Sequence, residues 1–203
     1  MLQVRIHGRG GQGVVTAAEM LSIAAFEQGR HAQAVPGFGS ERTGAPVVSF
    51  CRIDDRPIRS REPVLAPDLL IIQDPTLLHQ VDVFQGLGAE GHVLINSARI
   101  PEDLGIADVM ERLPGAHFAS LPATEIAKRH LGRPLPNAVL LGGAAALTGI
   151  VTLEAVVHAI GDKFGGAIAR RNIDAATEAF EHVNASARPG RVPGAPRAPE
   201  IRP

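Results

Sequence analysis

His7-Gly8-Arg9-Gly10-Gly11-Gln12-Gly13 satisfies Gly-x-Gly-x-x-Gly, between a run that reads as a strand and one that reads as a helix. The chemistry such a turn offers is anion binding. Glycine tolerates positive φ and lets a phosphate approach the backbone, while a helix N-terminus presents unpaired N–H groups at the positive end of its dipole. A dinucleotide site of the usual kind also carries a carboxylate about 20 residues further on, at the end of the second strand. That strand end reads Gln33-Ala34-Val35-Pro36, and Glu27 falls too early, inside the helix. NAD and FAD are therefore disfavoured. Two readings stay open for the turn: a seat for another phosphate-bearing ligand, or a structural strand–helix connection.

The second candidate is Pro36-Gly37-Phe38-Gly39-Ser40-Glu41-Arg42-Thr43-Gly44-Ala45-Pro46-Val47. Three glycines and two prolines fix an unusual backbone path around an adjacent acid–base pair. A rigid surface turn with a solvated Glu41 and Arg42 would contribute little energetically. A loop this constrained, presenting Ser, Glu, Arg and Phe, is more often built for a ligand or an interface. Asp74 and Asn96 end apolar runs, where ligand-facing polar groups belong, and each also suits a helix cap. Asp74-Pro75 is a good cap followed by proline at the first helical position. Asn137, before an apolar helical run, reads first as a cap. His7 beside the glycine turn reads as a structural hydrogen bonder or, less favourably, a ligand contact. The eight histidines form no His-x-x-x-His pair, so no metal site is expected. The single cysteine, Cys51, excludes an internal disulfide and a cysteine-held iron–sulfur cluster, and reads as a buried small hydrophobe. A Gly-x-Ser-x-Gly nucleophile elbow is absent.

The Gly-Arg-Gly-Gly-Gln-Gly turn followed by Gly-Phe-Gly-Ser-Glu-Arg-Thr-Gly-Ala-Pro-Val resembles the gamma subunit of the pyruvate (2-oxoacid):ferredoxin oxidoreductase family. Supporting matches follow in order: Ile95-Asn96-Ser97, Ala123-Thr124-Glu125-Ile126-Ala127, Leu135-Pro136-Asn137 with Leu141-Gly142, and Arg171-Asn172 with Ala175-Ala176. The resemblance covers about Met1 to His182. It implies oxidative decarboxylation of a 2-oxo acid to an acyl-CoA. Thiamine diphosphate, Mg²⁺ and iron–sulfur clusters would be held by partner subunits, a thiamine-binding chain and a ferredoxin-like chain. This chain has no Gly-Asp-Gly motif followed by the Asn of a thiamine site. Its implied share is structure and part of the coenzyme A site: Gly8, Arg9, Gly10, Gly11, Gln12, Gly13, Ser40, Glu41, Arg42 and Asn96. Arg9 and Arg42 would pair with the CoA phosphates. Ser40 and Thr43 stand where Pro and a second Arg or Gly are frequent in pyruvate-type members. The 2-oxo acid therefore stays open between pyruvate, branched-chain and aryl acids, as do the electron acceptor and the subunit stoichiometry. Two alternatives remain: a freestanding nucleotide-binding oxidoreductase, and a purely structural subunit of the same complex.

The elements that must position these loops follow from apolar periodicity. Leu2–His7, His31–Val35, Val47–Ile53, Leu69–Gln73, His92–Asn96 and Ala116–Ser120 read as strands. Gly11 to about Gln28, Ala123–His130, Asn137–Leu147, Leu153–Ile160 and Phe164–Asn184 read as helices. The gap from Val35 to Val47 is too short for a crossover helix, a departure from a plain βαβ wind. The expected fold is α/β, three-layer, with a mostly parallel sheet, flanking helices and a C-terminal helical cluster. Four loops, after His7, Val35, Gln73 and Asn96, would then share the carboxyl edge. The Gly142-Gly143-Ala144-Ala145-Ala146 run reads as close helix packing, in the core or at an interface.

A chain of 203 residues, 45% hydrophobic, suits one domain over residues 1–185. Residues 186–203, rich in Pro and Arg without periodicity, read as an extended tail, or as an arm that orders on a partner. A net charge of −1, no Trp or Tyr and seven Phe argue against a nucleic-acid partner. No apolar run reaches membrane-spanning length, and no signal segment opens the chain, so a cytoplasmic location is expected.

Overall fold

The computed structural model describes residues 1–37 and 43–186. Strand β1 (Leu2–Arg9) leads into helix α1 (Val14–Glu27) and strand β2 (His31–Pro36). Strand β3 (Pro46–Asp54) follows, then β4 (Leu69–Ile72), β5 (His92–Asn96), a short helix α2 (Ala107–Arg112) and β6 (His117–Leu121). Helices α3 (Ala123–Leu131), α4 (Asn137–Thr148), α5 (Leu153–Lys163) and α6 (Gly166–Ser186) close the chain. Two 3-10 turns lie at Pro75–His79 and Pro101–Leu104.

The six strands form one sheet in the order β2-β3-β1-β4-β5-β6. Neighbours among β1, β4, β5 and β6 pair in parallel, whereas β3 runs antiparallel to both β1 and β2. The short Val35–Val47 gap explains this, because antiparallel strands can be joined by a hairpin and parallel ones need a long crossover. Two antiparallel steps leave β2 pointing the same way as β1. The carboxyl ends of β1, β2, β4 and β5 therefore share one edge of the sheet, with the four loops singled out from sequence.

The two faces of the sheet carry separate cores. On one, Val4, Ile6, Cys51, Leu69, Ile71 and Leu94 pack against α1 and α3–α6. On the other, Leu70, Ile72, Val93 and Ile95 pack under Leu77, Val83, Leu87, Leu104 and Val109, drawn from loops, 3-10 turns and α2. Helix α4 is buried almost all round, as its uniformly apolar sequence demands. Gly142 permits that burial, since a Cβ there would overlap the Ala176 carbonyl of α6. The glycine-alanine run thus packs in the core. Cys51 is fully buried, and desolvation pushes its thiol up to about 12 against the opposing pull of Arg52.

Three local expectations are corrected. β1 continues through Gly8 to Arg9 and α1 begins at Val14, so the glycine motif starts inside the strand. The short α2, with Val109 as its buried residue, was not legible from periodicity. Asn137 is not a cap: Pro136 holds that position without a side-chain bond, and the Asn137 amide lies against Gly13. Helix α6 runs through Ser186, the first residue of the expected 186–203 tail, and residues 187–203 lie outside the described residues. No helix among the described residues is long and apolar enough to cross a membrane.

Candidate functional site at the carboxyl edge of the sheet

The glycine turn forms a rigid platform. Gly10 N donates to Ala45 O at 2.9 Å, and Gly44 N donates to Gly10 O at 3.0 Å, joining the turn to the approach to β3. Gly11 (φ 92°) and Gly13 (φ 74°) adopt left-handed conformations that a side chain would strain, and Gly13 is the N-cap of α1. Gly8 serves a different need: a Cβ there would come within 2.6 Å of Val14 Cγ2 and 3.2 Å of Gln73 Cβ. Close packing of strand on helix, rather than φ, fixes that glycine.

Gln12 and Arg9 lock the turn from within. Gln12 N donates to Arg9 O at 3.0 Å, while Gln12 Oε1 accepts from Arg9 N at 2.8 Å. The Arg9 guanidinium donates from Nε to Asp74 Oδ2 at 3.1 Å and from Nη1 to Gly44 O at 3.0 Å. Its Nη2 donates to Thr76 Oγ1 at 2.6 Å and Gln80 Oε1 at 2.7 Å. Four of the five guanidinium N–H groups are thus engaged within the fold. Arg9, expected as a phosphate partner, acts here as the clamp between β1 and the turn after β4.

Asp74 caps that turn. Its Oδ1 accepts from Thr76 N at 3.0 Å and Thr76 Oγ1 at 2.6 Å, and its Oδ2 also accepts from Gln12 Nε2 at 2.8 Å. Burial opposes ionisation of this carboxyl. Hydrogen bonds from Thr76 and Gln12, with the charge of Arg9, outweigh it and hold the carboxyl below the usual range.

Asn96, expected to contact a ligand, is buried and committed to the fold. Its Nδ2 donates to Gln73 O at 2.7 Å and Thr124 Oγ1 at 2.8 Å, and its Oδ1 accepts from Thr124 N at 3.0 Å. It caps α3, not the element that follows it. Ser40, Glu41 and Arg42 lie outside the described residues. His7 stands one residue before Gly8 with a buried Nε2 that has no partner among the described residues. Burial, and secondarily the charge of Arg5, lower its imidazole to about 4, so it is neutral at pH 7.

Between the platform, the start of α1 and β3 lies an open cavity of about 490 Å³. Arg9, Gly10, Gly11, Gly13, Val14, Val15, Thr16, Thr43 and Val47 line it. The first turn of α1 offers backbone N–H groups without helical partners, and that turn holds no acidic side chain. Anionic oxygens suit such a floor, and Val15 and Val47 add an apolar wall. The sequence reading located the glycine floor, and its second candidate loop contained Thr43 and Val47, but it gave no site role to those two or to Val14–Thr16. The helix start directly after Gly13 was the available signal for Val14–Thr16. Elsewhere, Glu27, His158 and Asp162 converge with ligand-capable atoms within 4.8 Å, but all three are exposed. They lie at the far end of α1, roughly 20 Å from its first turn.

The profile of the pyruvate ferredoxin/flavodoxin oxidoreductase family matches residues 3–182. The chain is 46% identical over 181 residues to the pyruvate/ketoisovalerate oxidoreductases common subunit gamma of Thermococcus litoralis, covering 89% of this chain and 96% of that one. It is 44% identical over 186 residues to pyruvate synthase subunit PorC of Methanothermobacter marburgensis, covering 92% and 99%. The crystal structure of pyruvate oxidoreductase subunit PORC from Thermotoga maritima superposes with a TM-score of 0.76 at 34% identity, covering 89% of this chain and 95% of that one. Sequence and fold thus agree over nearly the whole described domain, and the chain belongs to the pyruvate ferredoxin/flavodoxin oxidoreductase family, among its gamma (PorC) subunits.

Proposed function

We propose that the chain serves a complex that oxidatively decarboxylates a 2-oxo acid to an acyl-CoA, and that its glycine-turn cavity receives the phosphate-bearing part of coenzyme A. Thiamine diphosphate with Mg²⁺ and iron–sulfur clusters, held by partner subunits, would supply the decarboxylation and electron-transfer chemistry. The observation that carries the reading is the floor of the cavity. Glycine backbone and the first turn of α1 face one open space, with no acidic side chain in that turn to occupy the N–H groups. CoA carries a pyrophosphate and a 3′-phosphate, which match that floor.

A second reading has its own support. The engagement of Arg9 with Asp74, Gly44, Thr76 and Gln80 suits a platform on which partner subunits dock. Cavity-filling variants separate the two. In the assembled complex, Gly10→Val and Val15→Trp are expected to raise KM for CoA about tenfold, a loss of roughly 1.4 kcal/mol of binding, with KM for the 2-oxo acid little changed. Both variants assembling with unchanged CoA kinetics would leave the docking reading in its place.

A further inference from the structure

Gln73 follows the last residue of β4 and is 1% exposed. Its N donates to His7 O at 2.7 Å, continuing the pairing of β4 with β1. Its Nε2 donates to Gln12 O at 3.0 Å, inside the glycine turn. Its own carbonyl accepts from Asn96 Nδ2, and Asn96 is in turn locked to Thr124 at the start of α3. A continuous chain of hydrogen bonds therefore runs from α3 through Asn96 and Gln73 to Gln12, and on to Arg9 and Asp74.

One atom does not fit a purely stabilising role. Gln73 Oε1 is buried and has no hydrogen-bond partner among the described residues. A buried, unmet acceptor costs free energy that an apolar side chain of similar volume would not. Leucine would fill the space without that penalty. Leucine would also leave the Gln12 carbonyl without this donor, so the cost of the unmet oxygen offsets what the bond contributes, and global stability alone does not account for an amide at this position. The bond from Nε2 to Gln12 O does, because within the described residues it is the side-chain tie from β4 to the carbonyl side of the turn.

We infer that Gln73 is a positioning residue for the glycine turn: it holds the Gln12 carbonyl, and hence the cavity floor, in register, and is itself held from α3 through Asn96. The consequence for CoA rests on the function proposed above. The positioning role does not, and the two are measured separately.

The test compares wild type with Gln73→Leu and Asn96→Asp in the assembled complex. The first variant removes the tie to Gln12 and the unmet acceptor together. The second keeps the oxygen that caps α3 and removes the Nδ2 donor shared by Gln73 O and Thr124 Oγ1. For Gln73→Leu the thermal midpoint should stay within a few degrees of wild type, while amide hydrogen exchange across residues 9–13 accelerates roughly three- to tenfold. Asn96→Asp should accelerate the same amides by a smaller factor. KM for CoA should rise with the exchange rate, and kcat at saturating CoA should hold. Unchanged exchange in Gln73→Leu, or a collapse of its thermal midpoint, overturns the inference. Unchanged exchange in Asn96→Asp overturns the link to α3. Faster exchange with unaltered CoA kinetics sustains the positioning role and removes the CoA reading.

Discussion

Arg9 Nε lies 3.1 Å from Asp74 Oδ2, and this pair ties the last residue of β1 to the cap of the 3-10 turn after β4. Both side chains are largely shielded from solvent, so the pair differs from a surface ion pair of negligible worth. Asp74→Ala removes the cap and leaves the guanidinium without its carboxylate. It should destabilise the chain by about 2–3 kcal/mol in urea unfolding, with Asp74→Asn costing less because an amide oxygen still caps. A double-mutant cycle with Arg9→Ala should show coupling. Additive losses would mean that the two residues act independently.

His7 predicts a pH signature. Its folded-state value of about 4 lies below the ordinary value near 6.5. Between those values the unfolded chain binds a proton that the native state refuses, so stability falls as pH is lowered through that window. The full shift corresponds to roughly 3 kcal/mol, an upper figure for a partly buried group. His7→Phe should flatten the loss of thermal midpoint between pH 6.5 and 4.5. A variant profile parallel to wild type would show that His7 titrates normally.

Gly142 predicts a packing limit. Its missing Cβ allows α4 to touch the Ala176 carbonyl of α6, and backbone gives way less readily than a side chain. Gly142→Ala should cost about 1–3 kcal/mol, and Gly142→Val more, in chemical denaturation. A neutral alanine would mean that the two helices separate easily.

Much of this was legible before the structure, for identifiable reasons. Short apolar runs ended by polar residues located Leu69–Ile72 and His92–Asn96, because buried parallel strands have little freedom in composition. The shortness of the Val35–Val47 connection was visible, but the pairing direction of β3 was not. The roles of site residues were harder, since their partners are distant in sequence. Arg9 meets residues 35 to 71 positions away, and Asn96 caps a helix through Thr124, 28 positions on. Asn137 looked like a cap because capping is a local rule. The approach of Gly13 to its amide is tertiary, and here the tertiary contact prevails.

One cysteine and the absence of a thiamine motif predict dependence on partners. The isolated chain, supplied with thiamine diphosphate, Mg²⁺ and CoA, should show no 2-oxo acid oxidation with an artificial electron acceptor. Turnover above the uncatalysed rate would overturn the division of labour proposed here.

The most direct test of the CoA site is ligand footprinting of the assembled complex. Amide hydrogen exchange across residues 9–16 is measured with and without saturating CoA. The amides of Val14, Val15 and Thr16 open α1 and line the cavity, so they should exchange freely without ligand. CoA should slow Gly11, Gly13 and Val14–Thr16 roughly tenfold or more, as expected when phosphate oxygens accept from backbone N–H groups, while Arg9, Gly10 and Gln12, whose N–H groups already bond within the fold, should change less. Dephospho-CoA should protect less if the 3′-phosphate is the group received, and equally if the pyrophosphate is. Exchange that is identical with and without CoA, in a complex that turns over, would contradict the assignment of this cavity to coenzyme A.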